Sequence, residues 1–433
     1  MDTTGSPRGD SRPAGIAWPG PAAARWPRLA AAGCTALALL TMTVAGCGTA
    51  GPAGRSPQAA GLHQHSESGG PGSRGVAAPS TEPSSPATVA GPLSFCPARA
   101  AGPLAQSLAI TVPGSSQAEV VPLGAALNGQ VAYVATWTPG FSGVAALDLA
   151  SGSLRPISQF GNPADDQADG ASAGPWVVWA ETYSLNDLDR FAIYAWNSGS
   201  GQLRRLGRSL AGPDGTPWPS PWHAPAVSGG YAAWAQGYGP GGLVEIRLAN
   251  LVTGSVTTIR RGHVQAPFFD GGLVVWPESD TPGSETSLRG YSIAAHSLVS
   301  LPPALAAIRG TDFVVTDGTR TAYLSPDFTA LYYSPAQDQA ARQVLRLPLG
   351  ASFTDLALAP GTLAWSTTTA TYLASTATGA FTQVTPEFGY PTGSDSVMLI
   401  TDAPSEKVPH PPLPTHVINP AAIAWPKCPA TAR

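Results

Sequence analysis

Short runs of apolar residues recur along the chain, and each is entered through a glycine turn and ends on a large aromatic side chain. Residues 227–234 (VSGGYAAW) are the clearest example, and residues 272–276 (GLVVW) and 361–365 (GTLAW) have the same form. A short apolar run bounded by turn residues is typical of a buried β-strand. The aromatic anchors of these predicted strands are Tyr133, Trp179, Trp234, Trp276, Tyr323 and Trp365.

The spacing of the anchors predicts the architecture. Consecutive anchors are 46, 55, 42, 47 and 42 residues apart, and a period of about 40–50 residues built from short strands is the signature of a β-propeller. We therefore predict an all-β fold, a propeller of about seven four-stranded blades over residues 96–428. Six or eight blades stay open as alternatives, because the fifth and seventh repeats are irregular.

The third repeat shows all four strands of a blade, labelled A to D from the centre outward. They are predicted at residues 223–228, 231–236, 243–250 and 255–259. In the fourth repeat we predict strand C at residues 292–295 and strand D at 298–301.

In the irregular fifth and seventh repeats, more than one assignment of the strands is possible. In the fifth we take Tyr323 rather than Tyr333 as the anchor of strand B, since Tyr323 keeps the spacing regular. In the seventh, residues 396–401 are predicted as strand B and residues 416–425 as the last strand or two. Residues 108–112, from the other end of the domain, are predicted to complete this blade.

One turn carries a family resemblance. Residues 325–328 (SPDF), which precede the apolar run 330–333, resemble the Ser-Pro-Asp-Gly turn of TolB-type propellers. The resemblance to TolB-type and related WD-like propellers covers roughly residues 100–428 and concerns the fold. Phe328 stands where the family turn has glycine, and no Trp-Asp dipeptide ends the C strands. The resemblance implies protein–protein interaction rather than catalysis, although propellers have many functions.

The start of the chain has the pattern of an export signal. Four arginines precede an apolar run over residues 29–44, which is shorter than the roughly 20 residues of a spanning helix. The run ends in residues 44–47 (VAGC), which resemble the lipobox of bacterial lipoproteins. The resemblance implies cleavage before Cys47 and lipidation of that cysteine. A plain signal peptide with a cysteine near its cleavage site is the alternative.

These features predict the domain organisation. Residues 1–46 form a lipoprotein signal peptide, 47–95 a lipidated cysteine and a tether, 96–428 the propeller, and 429–433 a tail. The tether is rich in Gly, Pro and Ser and has almost no large apolar residue, so it is expected to be disordered. The expected location is the extracytoplasmic face of the cell membrane, with the lipid as the membrane anchor.

The remaining cysteines form an informative pair. Cys34 lies in the predicted signal peptide and Cys47 at the predicted lipidation site, which leaves Cys96 and Cys428 at the two ends of the predicted propeller. In an exported protein, two such cysteines predict a disulfide bond.

The net charge of the predicted mature chain argues against a nucleic-acid partner. Without residues 1–46 the net charge is about −6, and no basic patch is visible, so we predict no nucleic-acid partner. Lysine occurs only at positions 407 and 427, among many Arg, Ala, Gly and Pro residues. This usage is typical of a high-GC genome and indicates an actinobacterial type of source.

Local motifs for chemistry are weak. Residues 170–174 (GASAG) match the Gly-x-Ser-x-Gly nucleophile motif, but a predicted strand follows where that motif requires a helix. Asp165, Asp166 and Asp169 form an acidic loop and are a weak calcium candidate, since they lack the usual ligand order and a closing glutamate. Solvated aspartates that cap turns are the alternative, and we predict no cofactor.

The best local candidate for a binding loop is residues 212–223. Trp218, Trp222 and His223 lie there among prolines, in a connection between blades. Rigid aromatic side chains on a loop are typical anchors for a partner. The alternative is that both tryptophans fold back and cover a blade edge.

Together these features predict a protein- or ligand-binding module in the cell envelope, whose partner is an unidentified envelope protein or a small ligand. The alternative is a propeller enzyme whose active-site residues come from several blades and meet in the central channel. Such a site leaves no linear motif, so the sequence does not decide between the two.

Overall fold

The structure is a computed structural model. It describes residues 95–428 except 114–118, 127, 139, 163–165, 184–189, 219, 221–223, 312 and 403–413. The predicted signal peptide, Cys47, the tether up to residue 94 and the tail lie outside the described residues. Within the described part of the chain, every helix is too short or too polar to cross a membrane.

The described residues form 28 strands and two short α-helices. The strands are β1 (Cys96–Pro97), β2 (Glu119–Ala125), β3 (Val131–Thr138), β4 (Phe141–Asp148), β5 (Leu154–Gln159), β6 (Gln167–Ala173), β7 (Trp176–Thr182), β8 (Phe191–Asn197), β9 (Leu203–Arg208), β10 (Ala226–Ser228), β11 (Tyr231–Gly239), β12 (Leu243–Asn250), β13 (Val256–Val264), β14 (Phe268–Asp270), β15 (Leu273–Ser279), β16 (Ser287–Ser292), β17 (Ser297–Val299), β18 (Val314–Thr316), β19 (Thr321–Leu324), β20 (Ala330–Ser334), β21 (Arg342–Arg346), β22 (Phe353–Ala359), β23 (Thr362–Thr367), β24 (Thr371–Ser375), β25 (Ala380–Thr385), β26 (Gly389–Gly393), β27 (Met398–Asp402) and β28 (Thr415–Ile418). The helices are α1 (Pro103–Leu108) and α2 (Pro303–Ala306).

Strands β2 to β28 pair in chain order into antiparallel meanders, one for each predicted repeat. Blade 1 is β2–β5, blade 2 is β6–β9, blade 3 is β10–β13, blade 4 is β14–β17, blade 5 is β18–β21, blade 6 is β22–β25 and blade 7 is β26–β28. Blades 3 and 4 join into one eight-stranded sheet through a short pairing of β13 with β15.

The first strands of the blades close a ring. β2 contacts β6, and contacts follow in order through β10, β14, β18, β22 and β26, which in turn contacts β2. A closed cycle of sheets with their first strands at the centre is a β-propeller. The predicted seven-bladed fold is therefore confirmed.

The aromatic anchors pack between blades. Trp179, Trp276 and Trp365 are among the largest fully buried side chains. The Trp234 ring packs against the backbone of Gly207 in the outer strand of blade 2. A side chain there would crowd the ring, since a Cβ on Gly207 would lie 3.0 Å from it. Tyr323 is only half-buried and stacks on Tyr332 at 4.8 Å.

Strand C of the fourth repeat was predicted wrongly. It is β16 (Ser287–Ser292), and residues 293–296 form the turn that follows it. Apolar Ile293 and two alanines gave that turn the pattern of a strand. The true strand (SLRGYS) lacks a regular apolar pattern, because Gly290 leaves space that the Leu301 side chain fills.

In blade 5, the choice of Tyr323 was correct, since it lies on strand B (β19) and Tyr333 lies on strand C (β20). The turn between them, which resembles the TolB-type turn in sequence, is held by a serine side chain. The Ser325 Oγ accepts hydrogen bonds from two backbone amides, those of Thr329 at 3.2 Å and Ala330 at 2.9 Å. Phe328 adopts a φ of 54°, the left-handed region that glycine normally fills.

The N-terminal segment completes blade 7, as the sequence predicts. The Val112 amide donates to the Thr415 carbonyl at 2.9 Å, and the Val417 amide donates to the Ile110 carbonyl at 2.9 Å. Further back along the chain, β1 adds a parallel fifth strand to blade 6. A disulfide joins Cys96 to Cys428, with their Cα atoms 5.9 Å apart.

Candidate binding face

The meander topology gives the ring two different faces. Turns from strand A to B and from C to D lie on one, which we call the hairpin face. Loops from B to C and the connections from one blade to the next lie on the other, which we call the connection face. Of the two segments singled out in the sequence, Asp166 and Asp169 lie at the start of blade 2, and residues 212–218 lie between β9 of blade 2 and β10 of blade 3. These described parts therefore belong to the connection face.

Three consecutive blades place a polar residue at the same point of strand B. The segments are 179–181 (WAE), 234–236 (WAQ) and 276–278 (WPE). Because side chains alternate along a strand, the third residue lies on the same sheet face as the tryptophan and nearer the connection face. Each of these polar side chains therefore lies beside the preceding blade.

In blade 4 the residue at this position is Glu278, and an arginine of the preceding blade neutralises its charge. Arg260 of β13 binds Glu278 through a bidentate ion pair, in which the Arg260 Nε lies 3.1 and 3.0 Å from the two carboxylate oxygens. The Trp276 Nε1 donates to the same carboxylate at 3.0 Å. Glu278 is therefore a fully paired structural carboxylate.

In blade 3 the position is a neutral amide. Gln236 accepts from the Trp234 Nε1 at 3.0 Å and donates to Glu245 at 3.0 Å. Glu245 is buried, and Arg247 and Arg261 each lie 3.1 Å from its carboxylate. Its charge is also compensated within the chain.

Blade 2 is different, because no described cation pairs with its carboxylate. Glu181 is only 5% exposed, and Asp166 is only 2% exposed. Ala168 pairs with Glu181 across the sheet, so Asp166, two residues earlier, lies on the same sheet face. Burial above all, and then the Asp166 carboxylate, raise the pKa of Glu181 to about 7.

The tryptophan of blade 2 also lacks the contact that its equivalents make. The Trp179 Nε1 is close enough to Glu181 to oppose the rise in its pKa, but it makes no hydrogen bond of normal geometry. No described residue accepts a hydrogen bond from it, although the side chain is fully buried. Its ring stacks on Tyr194 at 5.7 Å.

The cause of the difference lies on the outer strand of the preceding blade. Trp179 and Trp234 face the preceding blade, as Val134 does in blade 1, and the rows of these three residues end on the outer strand at Pro156, Arg205 and Thr258. In each blade a bulge residue follows, and the next residue of the ladder is Ser158, Gly207 or Arg260. Blade 1 therefore has Ser158 at the position where blade 3 has the guanidinium that binds Glu278, and Val144, the pairing partner of Ser158, packs in the cluster that contains Trp179.

Exposed apolar side chains lie on the connection face of blade 2. Tyr183 is 41% exposed and Leu210 is 39% exposed, and both follow the ends of blade 2 strands. Half-buried Trp218 lies next to Leu210, because its amide donates to the Leu210 carbonyl at 2.9 Å. The Tyr183 hydroxyl lies 3.2 Å from that of Tyr194. We call Tyr183, Leu210 and Trp218 the aromatic rim.

The predicted binding loop is only partly described. Residues 210–218 form a compact hairpin, in which the Trp218 ring lies close to Gly212, and the Ser220 hydroxyl accepts from the Gly237 amide of blade 3 at 2.7 Å. Trp222 and His223 lie outside the described residues.

The acidic loop, a weak calcium candidate in the sequence, is only partly described. Asp165 lies outside the described residues, and Asp166 and Asp169 lie three positions apart on an extended segment, so they point to opposite sides. Asp166 accepts from the Asn162 amide at 2.7 Å, and Asp169 accepts from the Gly170 amide at 2.8 Å. Among the described residues, no three His, Cys, Asp or Glu side chains are placed to hold a metal ion.

Sequence analysis missed Glu181, although a signal was present. Residues 179–183 (WAETY) and 234–238 (WAQGY) repeat an aromatic, polar, aromatic pattern. This pattern becomes visible when the repeats are aligned at their anchor residues. The lack of a described cation beside Glu181 depends on Ser158 of another blade, which no local pattern reveals.

No model of a protein family matches the chain, and a comparison with curated proteins finds no match either. Solved structures match it at low identity. A prolyl endopeptidase is 10% identical, with a TM-score of 0.48, over 74% of this chain and 49% of the other, so the chain spans about half of that enzyme. An oligogalacturonate lyase in complex with manganese is 11% identical, with a TM-score of 0.48, over 70% and 90%.

TolB from Acinetobacter baumannii is also similar, at 12% identity and a TM-score of 0.36, over 72% of this chain and 66% of TolB. The TolB-type resemblance of the sequence implies a β-propeller, and the strand topology of this chain is one.

Proposed function

We propose that this protein is a lipid-anchored, extracytoplasmic β-propeller that binds an envelope protein or a small ligand on its connection face. The observation that carries this proposal is the aromatic rim on the connection face of blade 2, where Tyr183 lies two residues after the buried Glu181. The rim lies on strand ends and on a compact hairpin of a closed ring, so a partner would bind it with little loss of conformational entropy.

The chemistry of this surface favours a basic partner. Tyr and Trp side chains supply large contact areas, and central aromatic anchors often dominate binding energy. The two buried carboxylates add a negative charge that the described chain does not neutralise. The mildly acidic net charge of the predicted mature chain acts in the same direction.

The proposed membrane anchor rests on the sequence at Cys47. A lipid on Cys47 and a tether up to residue 95 would hold the ring near the membrane and leave its faces free to meet partners. Replacing Cys47 by serine is expected to move the protein from the membrane fraction to the soluble fraction. A Cys47→Ser chain that stays with the membrane would argue against the lipid anchor.

The binding role is tested by cross-linking in native membranes, followed by purification of the full-length chain. We compare the wild type with a Tyr183→Ser/Trp218→Ser variant. The matched control is Val252→Ser, because Val252 is 72% exposed on the hairpin face of blade 3. We expect a defined partner that is lost in the rim variant and kept in the control. Equal capture by all three proteins would contradict the proposal.

A further inference from the structure

The internal repeats of this chain show what the carboxylates of the connection face bind. In blade 4, the strand B glutamate holds the Arg260 guanidinium. In blade 3, the Arg261 guanidinium binds Glu245 and also lies 5.0 Å from the centre of the Tyr238 ring. Both sites therefore use an arginine, and the blade 3 site adds an aromatic face.

Blade 2 combines the strand B carboxylate of blade 4 with the tyrosine of blade 3, but the blade before it has Ser158 at the Arg260 position. Arg208, on the outer strand of blade 2 itself, lies at the position of Arg261. Tyr183 is the counterpart of Tyr238, since each lies four residues after the anchor tryptophan on the same sheet face. Glu181 is the counterpart of Glu278, and Asp166 adds a second carboxylate. A carboxylate pair beside an exposed tyrosine ring is suited to a planar cation, which forms bidentate hydrogen bonds and stacks on aromatic faces.

A second observation supports a site at this seam. The Trp179 Nε1 is fully buried, directed towards Glu181, and without an acceptor among the described residues. In blades 3 and 4 the equivalent nitrogen donates to the strand B side chain at 3.0 Å. A small shift of Glu181 on binding would complete this hydrogen bond, as Glu278 does while it also holds Arg260.

We propose that the Glu181–Asp166 pair at the seam of blades 1 and 2 receives one arginine side chain of the bound partner, which enters from the connection face over Tyr183. This inference rests on the proposed binding role and names the chemistry of its partner. The guanidinium replaces the proton that one buried carboxylate otherwise holds. Binding therefore releases a proton near neutral pH and strengthens as the pH rises through 7.

Blade 2 itself carries arginines on its outer strand. Arg205 lies in the same anchor row as Tyr194, and exposed Arg208 pairs across the sheet with Ala192, which itself pairs with Glu181. Neither arginine forms an ion pair with Glu181 in the structure. If Arg208 moves to compete for the site, Arg208→Met will bind the ligand more tightly than the wild type.

The test uses the full-length chain in detergent and the probe Nα-acetyl-arginine amide, with the uncharged citrulline analogue as a control. Calorimetry at pH 7 in two buffers of different ionisation enthalpy gives the affinity and the number of protons released. We expect binding of the arginine probe only, with proton release. Glu181→Gln should weaken it by at least about ten-fold and abolish the release.

A second variant places the cation inside the chain. Ser158→Arg places a guanidinium at the position of Arg260 and should abolish probe binding, whereas Ser158→Met should keep it. If Ser158→Arg fails to fold, Glu181→Gln alone decides.

The inference is overturned if the wild type does not bind the probe, or if Glu181→Gln binds it as tightly with the same proton release. Because this test uses a small probe, its failure leaves the membrane cross-linking result standing. Conversely, cross-linking that does not depend on the rim would refute the binding role even if the probe binds.

Discussion

Individual buried charges explain how the seams between blades 1 to 4 are stabilised. Burying a carboxylate without a partner is costly, so a fold retains one only where a cation, a hydrogen-bond network or a proton neutralises it. Glu278 has a cation and Glu245 has two. Glu181 has no cation among the described residues, and burial together with Asp166 keeps the pKa of Glu181 near 7. Part of the Glu181 population is therefore protonated at neutral pH.

Replacing Glu181 by glutamine is expected to stabilise the fold at high pH and not at low pH. The pKa of Glu181 is raised on folding from 4.5 to about 7, so its favourable contribution is fully present below 4.5 and is lost as the pH rises through 7. The loss is up to about 3 kcal/mol. Glutamine would also accept from the Trp179 Nε1, as Gln236 does from Trp234.

Thermal unfolding of both proteins at pH 5 and pH 8 checks this prediction. The melting temperature of Glu181→Gln should exceed that of the wild type by a few degrees at pH 8, and the gap should close at pH 5. A gap of the same size at both values would contradict the assigned titration.

Breaking the ion pair of blade 4 is expected to destabilise the protein. Arg260→Met leaves Glu278 buried without its cation and should cost about 2 kcal/mol, less than a fully buried pair because the Arg260 side chain is 38% exposed. Adding Glu278→Gln should recover most of the loss, since blade 3 uses a glutamine at this position. A double-mutant cycle of denaturant unfolding measures both effects. A double variant as unstable as Arg260→Met would contradict this account of the seam.

At the scale of elements, the ring depends on how its ends are joined. Residues 110–112 form the outer strand of blade 7, β1 extends blade 6, and α1 packs Leu104 and Leu108 into the core between these blades. Burial acts to lower the pKa of His416, but Asp402 and the Leu108 carbonyl hold it above its usual value. His416 therefore stabilises this join mainly below pH 6.5, and its contribution declines as the pH rises through the raised value.

The disulfide is expected to contribute strongly to stability. It closes a loop with a sequence separation of 332 residues, and the chain-entropy model gives an upper value of about 5–6 kcal/mol for such a loop. We expect Cys96→Ser/Cys428→Ser to unfold at lower denaturant concentration with an unchanged β-sheet circular dichroism spectrum, because the strand pairing at the join remains. Reduction of the wild type should give the same midpoint. An unchanged midpoint in both experiments would show that the disulfide is dispensable.

The elements were predictable to different degrees. Blades with regular apolar strands, such as blade 3, could be predicted closely, and its strand C occupies the predicted residues 243–250. Strand C of blade 4 could not, because Gly290 and Arg289 break its pattern and the apolar turn after it imitates a strand. The roles of Glu181 and Glu278 could not be predicted either, because the residue that pairs with each carboxylate, or fails to, comes from the preceding blade.

For the whole molecule, the ring brings distant segments to one surface. The segment near residue 166, the end of β7 and the hairpin at residues 210–218 are separate in sequence. They share the connection face because each lies at the same end of its blade. The period of the anchors predicted the ring, but only the topology shows that these three segments share a face. The central claim is that this face, at blades 1 to 3, is where the protein meets its partner.

Site-specific photo-cross-linking in the native envelope tests this claim most directly. Tyr183 on the connection face, or Val252 on the hairpin face, is replaced by photoreactive p-benzoylphenylalanine in the full-length chain. The account predicts a cross-linked species from position 183, reduced by Glu181→Gln, and none from position 252. Cross-links from position 252 alone would place the partner on the hairpin face and contradict it.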